Sequence, residues 1–263
     1  MNDILKLTTA GMNPTVYQVL RVLHRSKLNT IIQAFAQERN CIVVIKIAHH
    51  ACKSIQRHDM ACYNLAFEEG MLSLLKSYGI RAPRPIGFAH LDDQACLVMH
   101  HIPGRTLEEL AKQGHLNIYQ IASIIDDVAA ILQRVHGLGY LHHDVKPSNI
   151  MVLPSGRAIL IDWGSATHWR PMNERSAYVA WTPGFASHEQ MSGHMIRAND
   201  IYALGKTIQA VCTKLIPELA YIVESATASL NQRYPSLTEL REDLVPFLWP
   251  TWRAVLAERM QAG

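Results

Sequence analysis

"GYLHHDVKPSNIMVLPSGRAILIDWG", residues 139–164, decides how the chain is read. Its second half is a β-hairpin over roughly 150–161, two apolar runs turning at Pro-Ser-Gly. Polar groups crowd the ends of that hairpin: Asp144, Lys146 and Asn149 before it and Asp162 after it. Phosphoryl transfer asks for such a set, because it needs a positioned nucleophile, clamps on the phosphates and cations to offset charge. In that assignment Asp144 accepts the proton of the attacking hydroxyl and Lys146 sits beside the transferred group. Asn149 and Asp162 offer the hard oxygen ligands that suit Mg²⁺.

Upstream of the quoted stretch, β-branched and apolar runs at 15–24, 28–36 and 41–48 predict three strands with short turns. Residues 55–77 carry apolar side chains at helical spacing, including Leu65, Met71, Leu72 and Leu75, and predict a helix ending near Gly79. Runs at 82–89 and 95–102 predict strands four and five. Pro103-Gly104-Arg105 reads as a turn and a boundary, which divides the chain into 1–102 and 103–263. Beyond it the pattern turns helical. Thr106 is a candidate N-cap, a long apolar helix follows from Asn117, and further helices are expected over 197–214, 217–230 and 236–249. The expected class is α+β: a five-stranded antiparallel sheet with one helix, then a mainly helical second part.

Bulk properties exclude several alternatives. At 263 residues with 49% apolar side chains, the chain can bury a sizeable core. A net charge of +3 with no basic stripe gives no support for nucleic-acid binding. Cys41, Cys52, Cys62, Cys96 and Cys212 form no CxxC pair, as expected for reduced thiols in a cytoplasmic protein. No secretory signal and no membrane span are expected. The fourteen histidines include adjacent pairs but no HExxH, and adjacent strand residues point to opposite faces, so a structural zinc site is not expected.

With those residues in view, the sequence resembles the Ser/Thr protein kinases, above all the eukaryotic-like kinases of bacteria. The family pattern H-R-D-L-K-P-x-N stands here as His142-His143-Asp144-Val145-Lys146-Pro147-Ser148-Asn149. D-F-G stands as Asp162-Trp163-Gly164, and V-A-I-K as Val43-Val44-Ile45-Lys46. The resemblance covers about 15–245. It implies a bilobal fold with ATP and Mg²⁺ held where the lobes meet and an unidentified protein substrate. It further implies that Lys46 pairs with Glu68, Glu69 being the alternative. Met99 would be the gatekeeper, with the backbone of His100 and Ile102 facing the base. Thr182 in "WTPGFASHEQ" would touch Asp144 and Lys146. Glu189 would pair with Arg233 at the end of the activation segment, and Asp200 would hold the catalytic loop from below. Ser165, Thr167, Ser176 and Thr182 lie in that segment.

The sequence departs from the family at several points. His24, Ser26 and Asn29 occupy the three positions of G-x-G-x-x-G, where glycine lets backbone amides approach phosphates. Asn29 tolerates the left-handed region, and Arg25 or Lys27 are the candidates to supply charge there. Val44 replaces the alanine that packs on adenine, and His188 the proline of A-P-E. His143 replaces the arginine that receives an activation-segment phosphate, so activity is expected not to depend on that modification. The interval from Lys214 to Arg233 is short, so a docking helix found in many kinases is expected to be reduced. Two alternatives accompany the kinase reading. One is a pseudokinase acting as a binding module, favoured by the missing glycines. The other is a small-molecule phosphotransferase, suggested by Ile161-Asp162-Trp163 but opposed by Lys146 and the T-P-G-F segment.

Overall fold

Short β-branched and apolar runs in the first hundred positions generate strands, and a computed structural model shows how they join. It describes residues 4–8, 14–49, 55–114, 116–176, 181–212 and 217–248. The chain divides into two units, Met1–Ile102 and Pro103–Gly263.

In the first unit the strands are β1 (Ile4–Leu7), β2 (Thr15–Arg25), β3 (Asn29–Ala36) and β4 (Cys41–Ala48). After helix α1 (Ile55–Ser77) come β5 (Pro85–Leu91) and β6 (Gln94–His100). They form one antiparallel sheet in the order β1-β2-β3-β4-β6-β5. The sheet therefore has six strands, not the expected five. The additional strand, β1, has only four residues, interrupted by Lys6, and its strand character comes from pairing with β2 rather than from a periodic pattern. Thr8, just beyond β1, exchanges backbone hydrogen bonds of 2.9 and 2.8 Å with His90 of β5, so the two sheet edges meet. This single bridge covers part of the exposed edges that invite aggregation.

Leu7, Tyr17, Ile32, Ala34, Ala36, Val43, Ile45, Ile47, Ala89, Cys96 and Val98 make the sheet's core. Helix α1 covers β4, β5 and β6, with Leu65, Met71, Leu72 and Leu75 buried. Its end is a left-handed glycine: Gly79 sits at φ 62° and Ile80 donates back to Leu75 O at 2.9 Å.

The second unit begins with β7 (Arg105–Thr106) and α2 (Leu107–Lys112), then α3 (Ile118–Gly137) and β8 (Tyr140–Leu141). Next come β9 (Ile150–Val152), β10 (Ala158–Leu160) and β11 (Thr167–His168), then α4 (His188–Met191), α5 (Ala198–Val211), α6 (Pro217–Thr227) and α7 (Leu237–Leu248). Thr106 caps α2 and Asn117 caps α3, each through a reciprocal capping box with Glu109 or Gln120. Helix α3 runs through the core, burying Ile121, Ile125, Val128 and Leu132 against α5, α7 and β10. The last three helices are shorter than the expected 197–214, 217–230 and 236–249. Positions 213, 214 and 249 lie outside the described residues. Strand β9 pairs with both β10 and β7, and β8 with β11. These pairings fix the segment on which the chemistry-bearing residues sit.

Candidate active site

The centre of the site is a buried carboxylate that carries no chemistry itself. Asp200, on the first turn of α5, is fully buried. It accepts hydrogen bonds from His136 Nε2 at 2.8 Å and from the backbone amides of His142 and His143, each at 2.9 Å. Two successive amides converge on one carboxylate because His143 lies in the left-handed region, φ 66°. That conformation costs a non-glycine residue about 1–2 kcal/mol, which the charge-assisted bonds offset. Burial pushes the Asp200 carboxyl up, but the His136 hydrogen bond and the charges of His136, His143 and His142 outweigh it and hold the group well below the usual range.

The latch sets the next residues. His142 Nδ1 accepts the Asp144 amide at 3.2 Å, so its Nε2 is the protonated nitrogen and donates to Ile161 O at 3.1 Å. Its ring meets the fully buried Trp163 edge-on, 4.5 Å between centroids. Burial holds the His142 ring below its ordinary value, against the pull of Asp200, Asp144 and Asp162. His143 is held low for the same reason, opposed by Asp200 and reinforced by its imidazole neighbours. Neither ring nitrogen of His143 has a hydrogen-bond partner among the described residues.

Asp144 is then gripped on both oxygens. Its Oδ2 accepts from Lys146 Nζ at 2.7 Å and from Asn149 Nδ2 at 2.9 Å, and its Oδ1 accepts from Thr182 Oγ1 at 2.5 Å. Lys146 Nζ also donates to Thr182 Oγ1 at 2.9 Å. One carboxylate, one ammonium and one hydroxyl thus close a triangle.

The donor set beside it fits a divalent cation. The Asn149 amide nitrogen donates to Asp144 O and Oδ2, both acceptor-only atoms, which fixes the side-chain orientation and turns Oδ1 the other way. Asn149 O also accepts the Ile161 amide at 2.8 Å, tying Asn149 to the residue before Asp162. Asp162 occupies the left-handed region at φ 62°, ψ 72°. An amide oxygen and a carboxylate on adjoining strand ends are hard ligands of the kind Mg²⁺ takes.

In the first unit, Lys46 Nζ lies 2.7 Å from Glu68 Oε2, both side chains nearly buried. Glu69, the alternative partner, faces outward and accepts from Ser73 at 3.0 Å. Met99 is buried on β6, opposite Val44 of β4. The His100 amide is engaged by Arg84 O at 2.9 Å, whereas the Ile102 backbone makes no hydrogen bond among the described residues.

A family model described as the protein kinase domain matches residues 17–257. The chain belongs to the protein kinase family. Pkn3 of Myxococcus xanthus, a serine/threonine-protein kinase, is 27% identical over 240 residues, 86% of this chain and 43% of that protein. PknD of Mycobacterium tuberculosis, another, is 29% identical over 268 residues, 99% of this chain and 38% of that protein. Serine/threonine-protein kinase D of Synechocystis is 31% identical over 157 residues, 57% of this chain and 30% of that protein. The chain is thus similar to the eukaryotic-like Ser/Thr kinases of bacteria and spans less than half the length of these relatives.

From the 3-10 turn at Trp163-Gly164 the segment runs through β11 onto Gly139, whose carbonyl accepts the Trp169 amide at 3.0 Å. Arg170 donates to Met195 O at 2.7 Å and Ser176 to Gly193 O at 2.9 Å. Arg197 lies over the Trp169 ring, 5.1 Å from its centroid. Positions 177–180 lie outside the described residues. At the segment's end Glu189 and Arg233 pair at 3.2 Å. Arg233 also donates to the Ala228 and Ala198 carbonyls and lies over Tyr202. Burial would raise the Glu189 carboxyl, but its own amide and Arg233 bring it below the ordinary value.

Two further residues serve the loop. Gln190 donates to His143 O at 2.8 Å, and His136 reaches Asp200 from α3. No spacing in the sequence flags His136, whereas Gln190 ends the W-T-P-G-F-A-S-H-E-Q stretch without any sign of its partner.

The β2–β3 tip contains no glycine, and Asn29 is not among the residues with positive φ. Ser26 closes the turn instead. Its amide donates to Asn29 O at 2.9 Å, while its Oγ accepts the Leu28 and Asn29 amides at 3.2 and 3.1 Å.

Proposed function

We propose that the chain transfers the γ-phosphoryl group of ATP to serine or threonine hydroxyls of a protein. The observation that carries the reading is the triangle at Asp144. A threonyl hydroxyl already donates to Asp144 Oδ1 while Lys146 bonds both Asp144 and that hydroxyl. A substrate hydroxyl presented to the same carboxylate would give up its proton there as its oxygen bonds to the γ-phosphorus. The bond to the ADP oxygen breaks, and ADP leaves with that electron pair. Asn149 and Lys146 orient the carboxylate, and the Lys146 ammonium offsets charge on the transferred group. Asn149 and Asp162 would hold Mg²⁺, which neutralises phosphate charge when bound. Lys46, positioned by Glu68, would take the other phosphates, and Met99, His100 and Ile102 would border the base. The expected compartment is the cytoplasm. Cys41, Cys96 and Cys212 are free thiols, and burial pushes Cys96 up to about 12. Among the described residues no helix is long and apolar enough to cross a membrane.

Asp144→Asn tests the assignment. General-base assistance is worth about 10²–10⁴ in rate, so transfer should fall by that factor while nucleotide binding persists. A variant that labels protein at the wild-type rate refutes the role of Asp144. A second reading, a binding module without catalysis, is favoured by the engaged amides of the β2–β3 tip. MgATP at a hundred times its Kd adds about 2.7 kcal/mol of stability to a binder, and no shift at millimolar MgATP would support that second reading.

A further inference from the structure

We propose that the Ser26 hydroxyl is an internal competitor for nucleotide phosphate and sets this chain's affinity for it. The inference rests on the ATP-binding reading above.

A hairpin tip binds phosphate by pointing backbone N–H groups at it. Here the Ser26 Oγ takes the amides of Leu28 at 3.2 Å and Asn29 at 3.1 Å. The Ser26 amide is spent on Asn29 O at 2.9 Å. The same hydroxyl lies within donating distance of Asn29 O and Oδ1, at 3.2 and 3.3 Å. A hydroxyl has one proton and two lone pairs, so this one is fully used. It stands toward the two amides as a phosphate oxygen would. The tip is tied down on its far side too. The Leu28 carbonyl accepts the His49 amide at 2.8 Å, and Thr30 Oγ1 meets His49 Nε2 at 2.7 Å. A phosphate oxygen reaching the Leu28 and Asn29 amides must first displace Ser26 Oγ. Nucleotide is therefore bound by exchange of hydrogen bonds rather than by capture of open donors.

Ser26→Ala removes the competitor and keeps the Cβ, whereas Ser26→Thr keeps the hydroxyl. Three ligand-free proteins, wild type, Ser26→Ala and Ser26→Thr, are titrated with MgATP and with adenosine by calorimetry. Amide hydrogen exchange of Leu28 and Asn29 is measured alongside. The expected result is MgATP bound roughly three- to tenfold more tightly by Ser26→Ala, the equivalent of one exchanged hydrogen bond, with adenosine binding unchanged. Ser26→Thr stays with the wild type, and exchange at Leu28 and Asn29 speeds up only in Ser26→Ala. Equal or weaker MgATP binding by Ser26→Ala, with adenosine still bound, overturns this inference alone. Unchanged amide exchange in Ser26→Ala overturns it without reference to any ligand. Binding of neither ligand by any of the three proteins overturns it together with the phosphotransfer reading.

Discussion

Asp200→Ala probes the support beneath the loop that carries Asp144. The carboxylate is fully buried and accepts three hydrogen bonds, from His136 Nε2 and from the amides of His142 and His143. Truncation leaves three donors in a place water does not reach. Each stranded donor costs about 1–3 kcal/mol, and removing one partner of a buried charged contact typically costs about 3–5 kcal/mol in total. The costs overlap, since the loop relaxes once released, so the expected loss is about 4–5 kcal/mol. Against a usual total of about 5–15 kcal/mol this is severe. At roughly 2–4 °C per kcal/mol it lowers the unfolding midpoint by about 8–20 °C. Asp200→Asn keeps one acceptor but turns an NH₂ toward a donor, and should fall between, at about 2–3 kcal/mol. Urea denaturation of the three proteins measures the series, and phosphate transfer from labelled ATP should drop with it, because His143 loses the bonds that hold φ at 66°. A loss below about 1 kcal/mol for Asp200→Ala would refute the reasoning, as would full activity in a variant that has lost the predicted stability.

Lys46→Met takes the 2.7 Å partner from nearly buried Glu68. It should destabilise by about 3–5 kcal/mol, while Lys46→Met with Glu68→Leu recovers most of the loss, as a denaturant double-mutant cycle would show. The buried imidazoles give a pH dependence of definite sign. His142 and His143 are both held low by burial, so below about pH 6.5 the unfolded chain binds protons that the folded chain refuses. Stability is full above that pH and falls on acidification by up to about 1.4 kcal/mol per pH unit for each ring, a slope readable from urea midpoints across pH 5–7.5. A flat profile would mean the rings are not held neutral. The Asp200 and Glu189 carboxyls, depressed in the folded state, lose their contribution only at lower pH, below about 4.

What could be read in advance follows from how each feature is encoded. Helix α1 was legible because Leu65, Met71, Leu72 and Leu75 recur at helical spacing and a glycine follows its end. Strands β2 to β6 were legible within a few residues because each is a β-branched or apolar run of seven residues or more. Strand β1 and the two-residue β7, β8 and β11 have no such run, and exist because a neighbour supplies their hydrogen bonds. The pairings Lys46–Glu68 and Glu189–Arg233 were expected from motif positions and lie at 2.7 and 3.2 Å. The partners of His136 and Gln190 were invisible, since a polar residue on a helix gives no sign of what lies across from it. In the sequence Ser26 marks only a position where glycine is usual. That its hydroxyl collects two amides depends on the hairpin's closure, which no local pattern records.

The central claim is transfer of phosphate to serine or threonine by the groups around Asp144 and Asp162. The most direct measurement incubates the chain with Mg²⁺, γ-labelled ATP and a mixed protein substrate, beside Asp162→Ala, followed by phosphoamino-acid analysis. The predicted result is label on serine and threonine with the wild type and at least a hundredfold less with the variant, a loss of about 2.7 kcal/mol in transition-state stabilisation. Equal labelling by both proteins, or none by a wild type that binds MgATP, would contradict the account.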